Sequence, residues 1–288
     1  MFYGQMEIVS SESIRKNIQL MVLAPLESKM EGAVKEAGPG QFAMLHSPDD
    51  SRLLPRPISI YDITKEGFLA FIFALKGEGT RRLSELMPGS RLYVTAPLGN
   101  GFPLEEAKEK KRITVIGGGL GVPPMYFLSK ALINSGSCSG EVPKKTLDIV
   151  LGYRSESELI LEKEFEGLKS PDSLPDKEEN GTQFFLHFAS DDGSFGSKGN
   201  VLDLIRYKGI ESDIIFACGP KPMLRGIQAV AQEKGIPAYL SLEERMACGV
   251  GACLGCVVKT RSVNEHSLVK NVRVCKDGPV FLSSEVEL

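Results

Sequence analysis

The sequence predicts an α+β chain of several domains: an N-terminal antiparallel β-barrel, an α/β domain on a parallel sheet, and a small cysteine-rich C-terminal domain. Three observations predict it. Residues 1–104 hold short runs of β-branched and aromatic residues cut by glycine and proline. Across residues 105–240, strand-like runs alternate with helical patterns. Residues 241–288 gather four of the six cysteines and carry little apolar core of their own.

In the first block the predicted strands are Ile18–Leu23, Gln41–Leu45, Pro57–Tyr61, Phe68–Phe73 and Arg91–Thr95. Gly38-Pro39-Gly40, Gly67, Pro88-Gly89 and Pro97 separate them, and strands so short and so punctuated suit a barrel or sandwich. One helix is expected over Thr80–Met87. After the charged stretch Glu105–Arg112 the rhythm changes. Ile113–Ile116, Leu147–Leu151, Gln183–Phe188, Asp213–Ala217 and Ala238–Leu240 read as strands, with helices over Met125–Ile133 and Val201–Tyr207 between them. Pro222 opens a further helix whose Met223, Leu224, Ile227, Val230 and Ala231 share one face. Strands alternating with helices mean a parallel sheet of the nucleotide-binding kind. The polar stretches 134–145 and 169–182 read as surface loops, and Cys138 within the first takes no role.

Composition excludes several classes. A net charge of −3 and a pI near 5.8 argue against a nucleic-acid binder. No apolar run reaches the ~18 residues of a membrane span, and no signal peptide is apparent, so a cytoplasmic address is expected. There, cysteines serve as ligands or free thiols rather than disulfides.

The strongest chemical signal is Cys248-Gly-Val-Gly-Ala-Cys253-Leu-Gly-Cys256, with Cys275 further on. This C-x4-C-x2-C run has the spacing that wraps thiolates around a [2Fe–2S] cluster in plant-type ferredoxins. Gly249, Gly251 and Gly255 suit a loop that folds tightly around inorganic sulfide. Zinc is the competitor, but structural zinc sites draw two close pairs of ligands. Three ligands in one loop and a fourth alone favour iron–sulfur.

Other motifs are weaker singly. Gly117-Gly-Gly-Leu-Gly121-Val-Pro-Pro124 follows a strand and opens a helix, where backbone N–H groups can hold a pyrophosphate. The Rossmann register fails at Val122, whereas G-x-G-x-x-P fits from Gly119 through Gly121 to Pro124. Cys218-Gly219-Pro220 ends a strand on the same edge, and its small residues leave room for a flat ring; a buried hydrophobe is the plainer reading of Cys218. Arg56-Pro57-Ile58-Ser59 and Gly77-Glu-Gly79-Thr80 could serve a nucleotide or be an ordinary strand and capped turn. His46, His187 and His266 show no hydrolytic arrangement, with the first two expected at strand ends.

In this order, the motifs resemble the ferredoxin reductase superfamily, in which a flavin-binding barrel precedes an NAD(P)-binding domain. Glu244–Lys259 together with Arg273-Val-Cys-Lys-Asp-Gly-Pro-Val-Phe281 closely resembles the electron-transfer subunits of class 1B, NAD-dependent dihydroorotate dehydrogenases, over essentially the whole chain. The resemblance implies an FAD domain over 1–104, an NAD domain over 105–240 and a cluster domain over 241–288. It implies that Arg56 binds the FAD pyrophosphate, Ser59 bonds near flavin N5, and Pro57 and Ile58 belong to the same motif. Ile72, Phe73 and Ala74 would contact the flavin, and Gly79 and Thr80 its phosphates. Gly119 and Gly121 would take the NAD pyrophosphate, Cys218 and Gly219 would lie near the nicotinamide, and Cys248, Cys253, Cys256 and Cys275 would ligate the cluster. Two departures stand out: Ile58 replaces the superfamily's Tyr, and the Cys256–Cys275 gap is shorter than in plant ferredoxins. The implied function is electron transfer in pyrimidine biosynthesis from an FMN-containing catalytic subunit, two copies of each, through [2Fe–2S] and FAD to NAD+. FAD is needed because NAD+ exchanges a hydride and the cluster single electrons. The rivals are another flavin and iron–sulfur NAD(P)H oxidoreductase subunit, of sulfhydrogenase or NAD(P)H:ferredoxin type, and a zinc-stabilised interaction module.

Overall fold

The computed structural model describes residues 1–47, 54–135, 145–168, 183–263 and 268–288. Cys138, His266 and nearly all of the stretches 134–145 and 169–182 lie outside the described residues. Among the described residues no helix is long and apolar enough to cross a membrane. The chain forms two compact units. One comprises residues 1–101 with 242–280, and the other residues 102–241 with 281–286.

The first unit is built on β1 (Phe2–Arg15), β2 (Ile18–Pro25), α1 (Ser28–Glu36), β3 (Phe42–Leu45), β4 (Arg56–Ile63), β5 (Leu69–Ala74), α2 (Glu78–Ser84) and β6 (Arg91–Leu98). The six strands close into a barrel in the order β1-β2-β5-β4-β3-β6. Two elements were not expected from the sequence. β1 pairs with both β2 and β6, and its register shifts between Ile8 and Ser10 and between Ser13 and Arg15. Such bulges let a long strand bend around a small barrel. α1 buries Met30, Ala33 and Val34, an i, i+3, i+4 stripe. α2 starts two residues before the expected helix and stops earlier, ahead of Pro88.

The second unit adds α3 (Leu104–Lys108), β7 (Arg112–Gly118), α4 (Val122–Ser135), β8 (Thr146–Tyr153), α5 (Glu162–Gly167), β9 (Gln183–Ser190), β10 (Ser197–Lys198), α6 (Val201–Lys208), β11 (Ile214–Cys218), α7 (Lys221–Lys234) and β12 (Ala238–Ser241). The cysteine segment then contributes β13 (Val257–Lys259) and β14 (Asn271–Arg273), a separate antiparallel pair. Last comes β15 (Val280–Leu282), which completes a sheet of order β10-β9-β8-β7-β11-β12-β15. Pairings from β10 through β12 are parallel. The central strands are mostly apolar because both faces are covered: Val115, Ile149, Val150, Phe216 and Ala217 are fully buried. Asn200 caps α6, accepting from Leu202 N–H at 2.9 Å and Asp203 N–H at 3.2 Å. The residues after β15 are pinned to this unit by Gln228, whose buried Nε2 donates to the carbonyls of Ser283 and Val286.

Candidate functional site

In the barrel, Arg56 opens β4 and Gly79 lies in the first turn of α2. The structure brings them together: a Cβ on Gly79 would overlap the Arg56 guanidinium. Only a residue without a side chain lets the cation lie flat there. Arg56 Nη1 donates to the carbonyls of Leu54 at 2.9 Å and Pro55 at 3.3 Å, which fixes its direction. Thr80 Oγ1 accepts from Gly77 N–H at 3.3 Å and donates to Gly77 carbonyl at 3.0 Å, closing the turn. Pro57, Ile58 and Ser59 follow on β4, paired with Met44, Ala43 and Phe42 of β3. Arg56 and Ile58 share one strand face, and Pro57 and Ser59 the other. Ser59 is exposed. Ile72 and Ala74 share one face of β5 and Phe73 lies on the other, with Ile72 and Phe73 both buried.

In the sheet, β7 runs out at Gly118 and one turn of 3₁₀ helix, Gly119–Gly121, leads into α4. Gly119 has φ +53°, a left-handed conformation that favours glycine. Cys218 pairs with Gly117 in the β7–β11 register. A Cβ on Gly121 would overlap the Cys218 carbonyl, and one on Gly219 would come within 3.2 Å of the Gly118 backbone. The two small-residue turns thus touch at the carboxyl ends of adjacent parallel strands. They sit where the sheet order reverses, since β8 lies on one side of β7 and β11 on the other. His187 lies inside β9 rather than at a strand end, with Nε2 2.9 Å from Asp148 Oδ1. It is part of the sheet and stands apart from both turns in sequence.

The cysteine loop is seated on the barrel. Gly249 and Gly251 have φ of +69° and +84°. A Cβ on Gly249 would come within 2.6 Å of the Met44 side chain of β3. Cys256 and Cys275 are buried, Cys248 is half-buried and Cys253 is exposed. β13 and β14 bring the distant Cys275 back towards the loop: Val257 pairs with Arg273, and Val274 N–H donates to Cys256 carbonyl at 2.9 Å. Backbone N–H groups point at sulfur throughout. Cys253 N–H donates to Cys248 Sγ, Gly255 N–H to Cys253 Sγ and Cys275 N–H to Cys256 Sγ, each at 3.4 Å.

Cys248 and Cys253 interact through their side chains, as do Cys256 and Cys275, and Cys275 also interacts with Cys248. The donor set is four cysteine sulfurs, which suits an iron–sulfur cluster. Burial works against the Cys248 thiolate, but the backbone N–H groups of Cys253, Val250 and Ala252 bring its pKa down to about 6. Burial and the neighbouring Cys256 push Cys275 up to about 12.

Sequence reasoning missed what supports this loop. Arg273 and Asp277 form a two-pronged ion pair, and Asn100 Nδ2 donates to Asp277 carbonyl at 3.0 Å. The i, i+4 spacing of opposite charges was the available signal.

Residues 243–287 match the family described as the iron–sulfur cluster binding domain of dihydroorotate dehydrogenase B. Residues 115–229 match the oxidoreductase NAD-binding domain. The chain is 38% identical to the dihydroorotate dehydrogenase B (NAD+) electron transfer subunit of Geobacillus sp. strain WCH70, covering 99% of this chain and 98% of that one. It is 36% identical to the corresponding subunit of Shouchella clausii, with the same coverage of each. Among solved structures it resembles a chain of an NADH-dependent reduced ferredoxin-NADP oxidoreductase. There the TM-score is 0.77 at 27% identity, over 98% of this chain and 89% of the other.

Proposed function

This chain belongs to the family of dihydroorotate dehydrogenase B (NAD+) electron transfer subunits, and from that membership we propose that it carries electrons from dihydroorotate oxidation to NAD+ in pyrimidine biosynthesis. The catalytic step lies on a partner subunit that holds FMN, as the name electron transfer subunit of its relatives implies. When bound, FAD exchanges electrons singly or in pairs, which links one-electron [2Fe–2S] chemistry to the hydride chemistry of NAD+.

The chain's own residues bind and orient these groups. Arg56 holds the FAD pyrophosphate over the bare backbone of Gly79, with Thr80 fixing the turn, and Ser59 donates a hydrogen bond near flavin N5. Pro57 and Ile58 shape the strand beneath the flavin, while Ile72, Phe73 and Ala74 flank it. Gly119 and Gly121 admit the NAD pyrophosphate to the start of α4. Cys218 and Gly219 leave space for the nicotinamide. Cys248, Cys253, Cys256 and Cys275 ligate the cluster. The barrel, sheet and cysteine segment correspond to FAD, NAD and cluster functions over 1–104, 105–240 and 241–288. The assembly is a cytoplasmic heterotetramer of two copies of each subunit.

The observation that carries this reading is the set Cys248, Cys253, Cys256 and Cys275, with backbone N–H groups donating to the first three sulfurs, in a chain that also matches an oxidoreductase NAD-binding domain. Copurification with the FMN subunit tests it. Dihydroorotate-dependent reduction of NAD+ should require both chains, and light scattering should give the mass of a heterotetramer. A colourless protein containing zinc in place of iron and sulfide would refute it. The similarity to the ferredoxin-NADP oxidoreductase chain supports a second reading, a flavin subunit serving ferredoxin. Turnover with reduced ferredoxin and none with dihydroorotate would select that one.

A further inference from the structure

Arg273 ends β14 two residues before Cys275. Its guanidinium donates from Nε to Asp277 Oδ2 and from Nη2 to Asp277 Oδ1, both at 3.0 Å. Its Nη1 donates to the Gly251 carbonyl at 3.2 Å, and its backbone N–H donates to Asp277 Oδ2 at 2.7 Å. Gly251 lies between Cys248 and Cys253, whereas Arg273 and Asp277 bracket Cys275. One side chain therefore joins the loop that bears three cysteines to the turn that bears the fourth. The pair is about two-thirds buried, with side-chain exposures of 32% and 29%. Charges there are screened less than at an open surface. The guanidinium interacts electrostatically with both Cys256 and Cys275.

We propose that Arg273 and Asp277 are positioning residues of the cluster. They clasp the ligand loop to the turn carrying Cys275, and their opposite charges set the potential at which the cluster accepts an electron. The inference rests on the four-cysteine ligation proposed above. A planar fork is needed because it must satisfy a carboxylate and a backbone carbonyl at once, which an ammonium point charge does less well. Cluster potential responds to nearby net charge and to hydrogen bonds around the sulfurs. A cation beside the thiolates favours the added electron and an anion opposes it, so removing either partner unbalances the site by one charge.

The test uses the full chain copurified anaerobically with its catalytic subunit, with potentials read by absorption and EPR titration. Arg273→Gln is expected to lower the cluster midpoint potential and Asp277→Asn to raise it. Both should release iron to a chelator faster than the parent. A merely structural pair would not move the potential in opposite directions, so shifts of one sign, or no shift in loaded protein, overturn the proposal. Should either variant fail to load, Arg273→Lys and Asp277→Glu keep the charges and are read instead. They should hold a cluster near the parental potential yet lose iron faster, and iron release at the parental rate overturns the clasp. A parent protein without iron and sulfide would overturn the ligation itself.

Discussion

The parallel sheet and the cysteine segment are stabilised by different means. In the sheet, Val115, Ile149, Val150 and Phe216 are fully buried, and apolar burial is the main force that specifies the strands. In the segment, Val250, Leu254, Val257, Val263, Leu268 and Val269 are all exposed, and only a few side chains such as Val274 are fully covered. The segment relies on positive-φ glycines, a backbone–sulfur network and the Arg273–Asp277 pair. The contrast teaches that one region is specified mainly by side chains leaving water, and the other depends more on backbone conformation and polar contacts around its cysteines.

The largest effect should come from the thiols. Cys275→Ser is expected to abolish the cluster's visible absorption and its iron. It should also speed amide exchange across 248–280 while strands β7, β8 and β11 stay protected. An intact cluster in that variant would remove Cys275 from the ligand set, and loss of protection in the sheet would break the contrast. Next is Phe216→Ala. Phe216 packs edge-on against Phe102 and face-on against Tyr239, so its truncation should cost about 3–5 kcal/mol in urea denaturation. Iron content should not change. Gly121→Ala forces a methyl against the Cys218 carbonyl and should cost about 1–3 kcal/mol. Steady-state kinetics should show a raised KM for NADH, and an unchanged KM would separate this turn from dinucleotide binding. Smallest is Asn200→Ala, which removes the α6 cap at about 1 kcal/mol by thermal denaturation.

What could be read beforehand follows the same division. The central strands β7, β8 and β11 were legible because burial on both faces writes an apolar run, whereas the short edge strands β10 and β15 carry no such run and were not anticipated. The cysteines were legible because ligand spacing is a local property. β1 escaped notice although Gly4, Met6 and Ile8 alternate inward, because Ser10, Ser11, Glu12 and Ser13 continue the strand with polar residues and two bulges. α1 was hidden by its charged residues around only three buried positions. The meeting of Arg56 with Gly79, and of Gly121 with Cys218, depends on strand pairing across the chain. No local pattern encodes it. Arg273 was visible as a residue but not as a clasp, since its partners lie on both sides of it in sequence.

The sheet's last strand, β15, is made only after the cysteine segment has been synthesised. During translation the barrel strands are complete once Leu98 has emerged, whereas the edge of β12 waits for residues 280–282 and the hold of Gln228 for residues 283–286. Domains fold as units in the order they leave the ribosome. Here the second unit begins before the cysteine loop and finishes after it. A nascent chain stalled before residue 280 would therefore present β12 as an open strand edge, the kind of surface that invites mispairing between chains.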